Sequence, residues 1–166
     1  MRMSLAAKAK MRSTERAVYK YYNDMGKNKG HCTWGVGILA HRGVCSEEEL
    51  GKKVSVASVD IEFERRIAKA ERGVKRWVVT ELNQEQFDAI VSVTYNAGVS
   101  GTRDTYKFLN NRDFAGAASN ICTMIRVRAG GKLVVARGLI KRRAEESAPF
   151  RVPTQNALTS IKQPKE

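Results

Sequence analysis

Apolar residues recur at helical spacing most clearly after Asn83, where Phe87, Ile90, Val91 and Thr94 fall at i, i+3, i+4 and i+7. The pattern predicts an amphipathic helix over Asn83–Asn96, buried along one side and ended by Gly98 and Gly101. Upstream, Val59 to Arg76 reads as a charged amphipathic helix whose Glu and Arg residues form a solvated face. Ser46-Glu47-Glu48-Glu49 is a capping box that opens a helix weakened by Gly51, and Val54 to Val59 is read as helical. Shorter helices are expected at Thr105–Asn110, Asp113–Met124 and Gly138–Glu146, with Gly130-Gly131 as a turn.

The amino-terminal third has a different pattern. Ser4 to Tyr22 is predicted as one helix, or two short ones broken near Ser13-Thr14, and Asn23, Asp24 and Gly26 end it. Glu15 then lies either in the C-terminal half of that helix or in the first turn of a second helix capped by Ser13 or Thr14. Tyr19, Tyr21 and Tyr22 cluster at its end, for core packing or for lining a cleft. Cys32 to Leu39 holds Thr33, Trp34, Val36 and Ile38, a composition that favours a strand.

With 166 residues the chain has enough length for one domain with a sizeable core, or for two lobes sharing a helix. Its hydrophobic (42%) and charged (28%) fractions are those of a globular protein. The net charge of +13 implies an acidic partner, either nucleic acid or the anionic polymers and lipids of a bacterial envelope. Basic residues are scattered along the chain without a zinc finger or an RNP-like aromatic motif, which favours surface attraction over base reading. No apolar run reaches the ~18 residues a membrane helix needs. The basic start, Met1 to Lys10, lacks the apolar region of a secretory signal. Cys32 and Cys45 bracket a short segment and Cys122 stands apart, with no CxxC spacing. The three are either reduced thiols or include a Cys32–Cys45 bridge formed after export. His31 and His41 have no acidic or cysteine cluster at ligand spacing, so no metal is expected.

The order Glu15, Asp24, then Thr33 in Thr33-Trp34-Gly35-Val36-Gly37 resembles the phage-type lysozymes of glycoside hydrolase family 24. Two further stretches carry the resemblance. They are Leu82–Ser92 followed by Tyr95-Asn96-Ala97-Gly98, similar to that family's central helix, and Gly130–Lys132 with Gly138–Glu146, similar to its C-terminal helix. The chain departs from the family's usual pattern at Arg16 and Ile38. The resemblance implies an α+β, mostly α, lysozyme-like fold. A small N-terminal β-hairpin lobe (about 15–60) and a helical lobe (about 77–150) would be joined by a helix at about 59–76. Residues 151–166 would form a Pro-containing tail.

It also implies a muramidase, cleaving the β-1,4 bond between N-acetylmuramic acid and N-acetylglucosamine with inversion and without a cofactor. Glu15 would be the general acid. Asp24 would be the carboxylate that stabilises positive charge or activates water, and Thr33 the hydroxyl that orients that water. Arg142, Arg143 and Asn96 are candidate substrate-binding residues. Expected partners are peptidoglycan glycan strands and, by charge, other anionic envelope polymers, with delivery through a holin pore or a secretion system. A monomer without specific nucleic-acid binding is expected. It would be made in the cytoplasm and act in the periplasm or cell wall of the target bacterium, as a phage endolysin or a secreted effector. The competing expectation is a non-enzymatic cationic binder of envelope or nucleic acid.

Overall fold

The computed structural model describes residues 1–129 and 131–151. Beyond Arg151 the expected tail lies outside the described residues, as does Gly130 of the expected turn. The chain divides into two compact units, one formed by residues 3–69 and the other by residues 1–2 and 70 onward.

The first unit opens with α1 (Leu5–Thr14), which Ser4 caps by accepting the Ala7 N–H at 3.1 Å. The helix stops earlier than the sequence suggests. Ser13 and Thr14 turn their hydroxyls back to the Lys10 carbonyl, at 2.8 and 2.9 Å, and so close α1 instead of starting a second helix. Glu15 is therefore the residue that ends α1, and Tyr19, Tyr21 and Tyr22 belong to a strand. That strand is β1 (Val18–Asn23), followed by β2 (Cys32–Gly35) and β3 (Ile38–His41) in a three-stranded antiparallel sheet of that order. The single strand expected over Cys32–Leu39 is thus a hairpin, turned at Val36-Gly37 with Gly37 at φ 72°.

The expected capping box opens α2 (Glu47–Gly51), where Ser46 Oγ accepts the Glu49 N–H and Glu49 accepts the Ser46 N–H. Val54 is not helical. Its N–H donates to the Tyr19 carbonyl at 3.0 Å, beside a Lys20–Lys53 bridge, and so extends the pairing of β1. Ser55 then caps α3 (Val56–Trp77) through the Ser58 N–H. Val59, Phe63 and Ile67 from one stripe of α3 join Met11, Cys32, Val36, Ile38 and Cys45 in the core of this unit.

The second unit takes Ala70 and Val74 from the same stripe of α3. It adds α4 (Gln84–Gly101), α5 (Arg103–Asn110), α6 (Phe114–Thr123) and α7 (Arg137–Ser147). A capping box of Asn83 with Gln86 starts α4, and Gly98, at φ 74°, kinks it. Phe87, Ile90, Val91, Val93, Tyr106, Leu109, Ala117, Ile121 and Phe150 form the core. One element here has no counterpart in the expectations: β4 (Arg126–Ala129) pairs antiparallel with β5 (Lys132–Val135) in a separate two-stranded sheet.

At the centre of this unit is a buried ionic network. Arg143 is 1% exposed. Its Nε donates to the Met124 carbonyl at 3.0 Å, and its two terminal nitrogens donate to Glu146 and to Asn96 Oδ1. Glu146 Oε1 accepts from Arg142 Nε at 3.0 Å and from Ser92 Oγ at 2.6 Å. A guanidinium out of water is tolerable only with such full pairing, because breaking one side strands the other. Arg143→Met is therefore expected to destabilise the protein by about 3–5 kcal/mol, read as a lowered midpoint in denaturant unfolding.

Candidate active site

The loop from β1 to β2 builds the site. It leaves β1 at Asn23 and returns at Cys32, passing through Gly26 (φ 96°), Asn28 (φ 55°) and Gly30 (φ 83°). These left-handed residues fold the segment into tight turns, with Gly26 N–H on the Asn23 carbonyl and Lys29 N–H on the Gly26 carbonyl. Its two ends are closed by Asp24 and His31. The Asp24 N–H donates to the His31 carbonyl at 3.1 Å, and the His31 N–H donates to Asp24 Oδ1 at 2.7 Å. Gly30 is required for this closure, because a Cβ there would overlap Asp24 Oδ1 and the Met25 side chain.

Thr33 follows on β2. It is buried at 3% exposure, and its hydroxyl donates to the same His31 carbonyl at 3.1 Å. The register of the sheet sets Tyr22 directly opposite Thr33 and Asn23 opposite Cys32. Tyr22 feels the charge of two of the sequence-predicted residues. Burial pushes its phenol above the ordinary tyrosine range, and the negative charges of Asp24 and then Glu15 push it further in the same direction. Glu15 is half-buried at the end of α1, Asp24 is exposed just after β1, and Thr33 is the cross-strand partner of Tyr22. Tyr22 is a residue that sequence reasoning weighed only as packing or cleft lining. The signal available was its place two residues before Asp24 in a Val-Tyr-Lys-Tyr-Tyr run of strand formers.

A disulfide holds the loop from behind. Cys32 is bonded to Cys45, with the Cα atoms 4.6 Å apart. Cys45 N–H donates to Asn23 Oδ1 at 2.7 Å, and Cys32 N–H donates to the Gly43 carbonyl at 2.7 Å. His31 Nδ1 accepts the Gly43 N–H at 3.1 Å. For a closed loop of this length the cross-link contributes about 3 kcal/mol on the chain-entropy model. Cys32 also lies near His41 and Glu49, but its sulfur is committed to Cys45 and His41 Nε2 already meets Glu49 Oε1 at 2.8 Å. That trio therefore offers no free thiolate to an ion.

Asn96, Arg142 and Arg143, the candidate binding residues, are brought together in the second unit. Arg143 and Asn96 bond to each other, and both arginines meet Glu146. Arg143 is spent on internal partners there, whereas Asn96 is exposed.

The phage lysozyme family model matches residues 12–146, from the turn that carries Glu15 to the helix that carries Arg143. The chain belongs to the phage lysozyme family. An endolysin of Acyrthosiphon pisum secondary endosymbiont phage 1 is 38% identical over 71 residues, covering 42% of this chain and 49% of that relative. An endolysin of Bacillus phage B103 is 35% identical over 80 residues, 47% of this chain and 29% of the relative. The chain thus spans about half the length of the first of these relatives and under a third of the second.

Among solved structures, the endolysin from Escherichia coli O157:H7 phage FAHEc1 shares the fold with a TM-score of 0.74 at 24% identity, over 90% of this chain and 93% of that one. The muramidase domain of SpmX from Asticaccaulis excentricus gives 0.71 at 25% identity, over 92% and 99%. The fold is lysozyme-like and α+β, with helices predominating, as expected from the sequence.

The closed loop has two measurable consequences. Gly30→Ala forces a side chain into left-handed backbone and against Asp24, so it is expected to cost at least about 1 kcal/mol and to speed amide exchange at His31. The phenol of Tyr22 is expected to titrate above an ordinary tyrosine in an NMR titration, and both Asp24→Asn and Glu15→Gln should lower it.

Proposed function

We propose that this phage lysozyme family member is a muramidase that hydrolyses the β-1,4 bond between N-acetylmuramic acid and N-acetylglucosamine in peptidoglycan. The observation that carries the reading is that Glu15 at the end of α1 and Asp24 after β1 both raise the Tyr22 phenol by their charge, with Thr33 opposite Tyr22 across the strands. Two carboxyl groups and a hydroxyl around one cleft are the groups that glycoside hydrolysis uses. Similarity to endolysins and to a muramidase domain supports the same reaction class.

In this reading Glu15 gives its proton to the glycosidic oxygen as the bond from that oxygen to the anomeric carbon breaks. Water enters from the opposite face, its oxygen bonds the anomeric carbon, and its proton passes to Asp24. Thr33 helps as an acceptor. Its own proton is directed at the His31 carbonyl, so its oxygen presents lone pairs to the water. A water held through both hydrogens by Asp24 and Thr33 aims a lone pair at the anomeric carbon, and its direct attack opposite the leaving group would invert that centre. Asp24 keeps its place because the His31 N–H occupies Oδ1 and leaves Oδ2 for the water. Of the three candidate binding residues, Asn96 is the exposed one, and the Arg143 bond uses only its carbonyl oxygen. The site of action is the cell wall of a target bacterium, reached through a holin pore or a secretion system. The positive surface would draw the protein to anionic wall polymers.

Digestion of purified sacculi with mass analysis of the fragments tests the reaction. Glu15→Gln is expected to remove at least about a hundredfold of the rate, because the amide has no acid proton to give, while the circular dichroism spectrum and unfolding midpoint stay as in the wild type. Equal release of disaccharide fragments by wild type and variant would overturn the assignment.

A further inference from the structure

Outside the proposed site, the most conspicuous unpartnered surface is the β4–β5 hairpin. Its register pairs Arg126 with Val135, Val127 with Val134, and Arg128 with Leu133. Directly opposite residues share a face, so one face carries Arg126, Arg128, Leu133 and Val135 and the other carries Val127 and Val134. Both faces are open. Val127 is 42% exposed, Leu133 63%, Val134 42% and Val135 48%, and Arg126, Arg128 and Lys132 are exposed among them.

A two-stranded sheet that packs on nothing is marginal in water. This one is held at its base, where Ala136 N–H donates to the Ile125 carbonyl at 2.8 Å and buried Arg143 holds the Met124 carbonyl. The fold therefore holds out a blade whose apolar side chains stay 42–63% exposed. Its charge is of one sign: between Asp113 and Glu145 the sequence contains no acidic residue.

We infer that the hairpin docks the protein on an anionic lipid bilayer. Valine and leucine side chains beside arginine and lysine, on a projecting element, match the boundary between acyl chains and negatively charged headgroups. A hydrated polyanion would satisfy the cations but would leave the four apolar side chains in water. The inference goes beyond hydrolysis and does not depend on it. Docking would hold the enzyme at the membrane face of the wall whether or not Glu15 is active.

The test is sedimentation of the full chain with vesicles, comparing phosphatidylcholine alone with phosphatidylcholine containing phosphatidylglycerol. Wild type is expected to bind the anionic vesicles. Leu133→Ser/Val135→Ser, which keeps every charge, should weaken binding by roughly tenfold or more. Arg126→Gln/Arg128→Gln/Lys132→Gln should weaken it by about a hundredfold, at roughly fivefold per cation. Lys53→Gln/Lys69→Gln/Arg72→Gln removes three exposed charges elsewhere and should weaken it far less.

Hydrogen exchange of the wild type on vesicles supplies a readout free of any folding defect in the variants, with protection expected over residues 126–135. Three results would overturn the inference. They are protection confined to other segments, equal vesicle binding by the Leu133/Val135 variant, and equal loss from both charge variants. If soluble polyphosphate binds as tightly as the vesicles and the apolar variant binds it equally well, the surface is a polyanion site and the bilayer assignment fails.

Discussion

The closure of Asp24 on His31 is the constraint from which the proposed site follows. One residue pair makes two hydrogen bonds, from backbone to backbone and from backbone to carboxylate, and so brings together the ends of an eight-residue excursion from the sheet. The His31 carbonyl takes a second donor, the Thr33 hydroxyl, which ties the orientation of Thr33 to that of Asp24. Gly30 provides the conformation and the empty space that closure needs, and the Cys32–Cys45 bond keeps the strand behind it in place. Each contact is modest alone. Their value is that a carboxylate on an exposed loop, which would otherwise sample many rotamers, has one oxygen already held.

The other unit is organised by the opposite kind of interaction, an ionic network removed from water. Arg143 joins α7 to α4 through Asn96 and to the chain after α6 through the Met124 carbonyl, while Glu146 takes Ser92 and Arg142. Buried charges of this kind add little net stability over apolar packing, but they punish any misplacement of the helices that carry them. The network therefore specifies how three segments meet.

The legible parts of the sequence were those with a local physical signature. The Ser46–Glu49 and Asn83–Gln86 boxes each place a cap three residues from its reciprocal partner; the first is the box expected from the sequence, and the second is a finding of the structure. The charged amphipathic pattern over Val59–Arg76 made most of α3 visible, and its buried side is the stripe Val59, Phe63, Ile67, Ala70 and Val74. The error at β1 came from extending the α1 pattern past Thr14. Val18, Tyr19, Tyr21 and Tyr22 are strand formers, and the strand is confirmed only by partners far along the chain, at Thr33 to Gly35 and at Lys53. The β4–β5 hairpin was missed because neither of its faces is buried, so the alternation that marks a half-buried strand is absent. Glu15, Asp24 and Thr33 are candidates through family resemblance alone. The pairing of Tyr22 with Thr33 follows from strand register, and register is not written in local spacing.

The same hairpin has two free edges, and an open edge with valine and leucine along it is a template for pairing with a second copy of itself. Arg126 and Arg128 on one strand and Lys132 on the other guard against that outcome. Two chains aligned along β4 would bring arginine against arginine at close range, an arrangement that like-charge repulsion disfavours. The cations that suit the blade to a negative surface thus also keep concentrated protein from aggregating through strand addition before it reaches one.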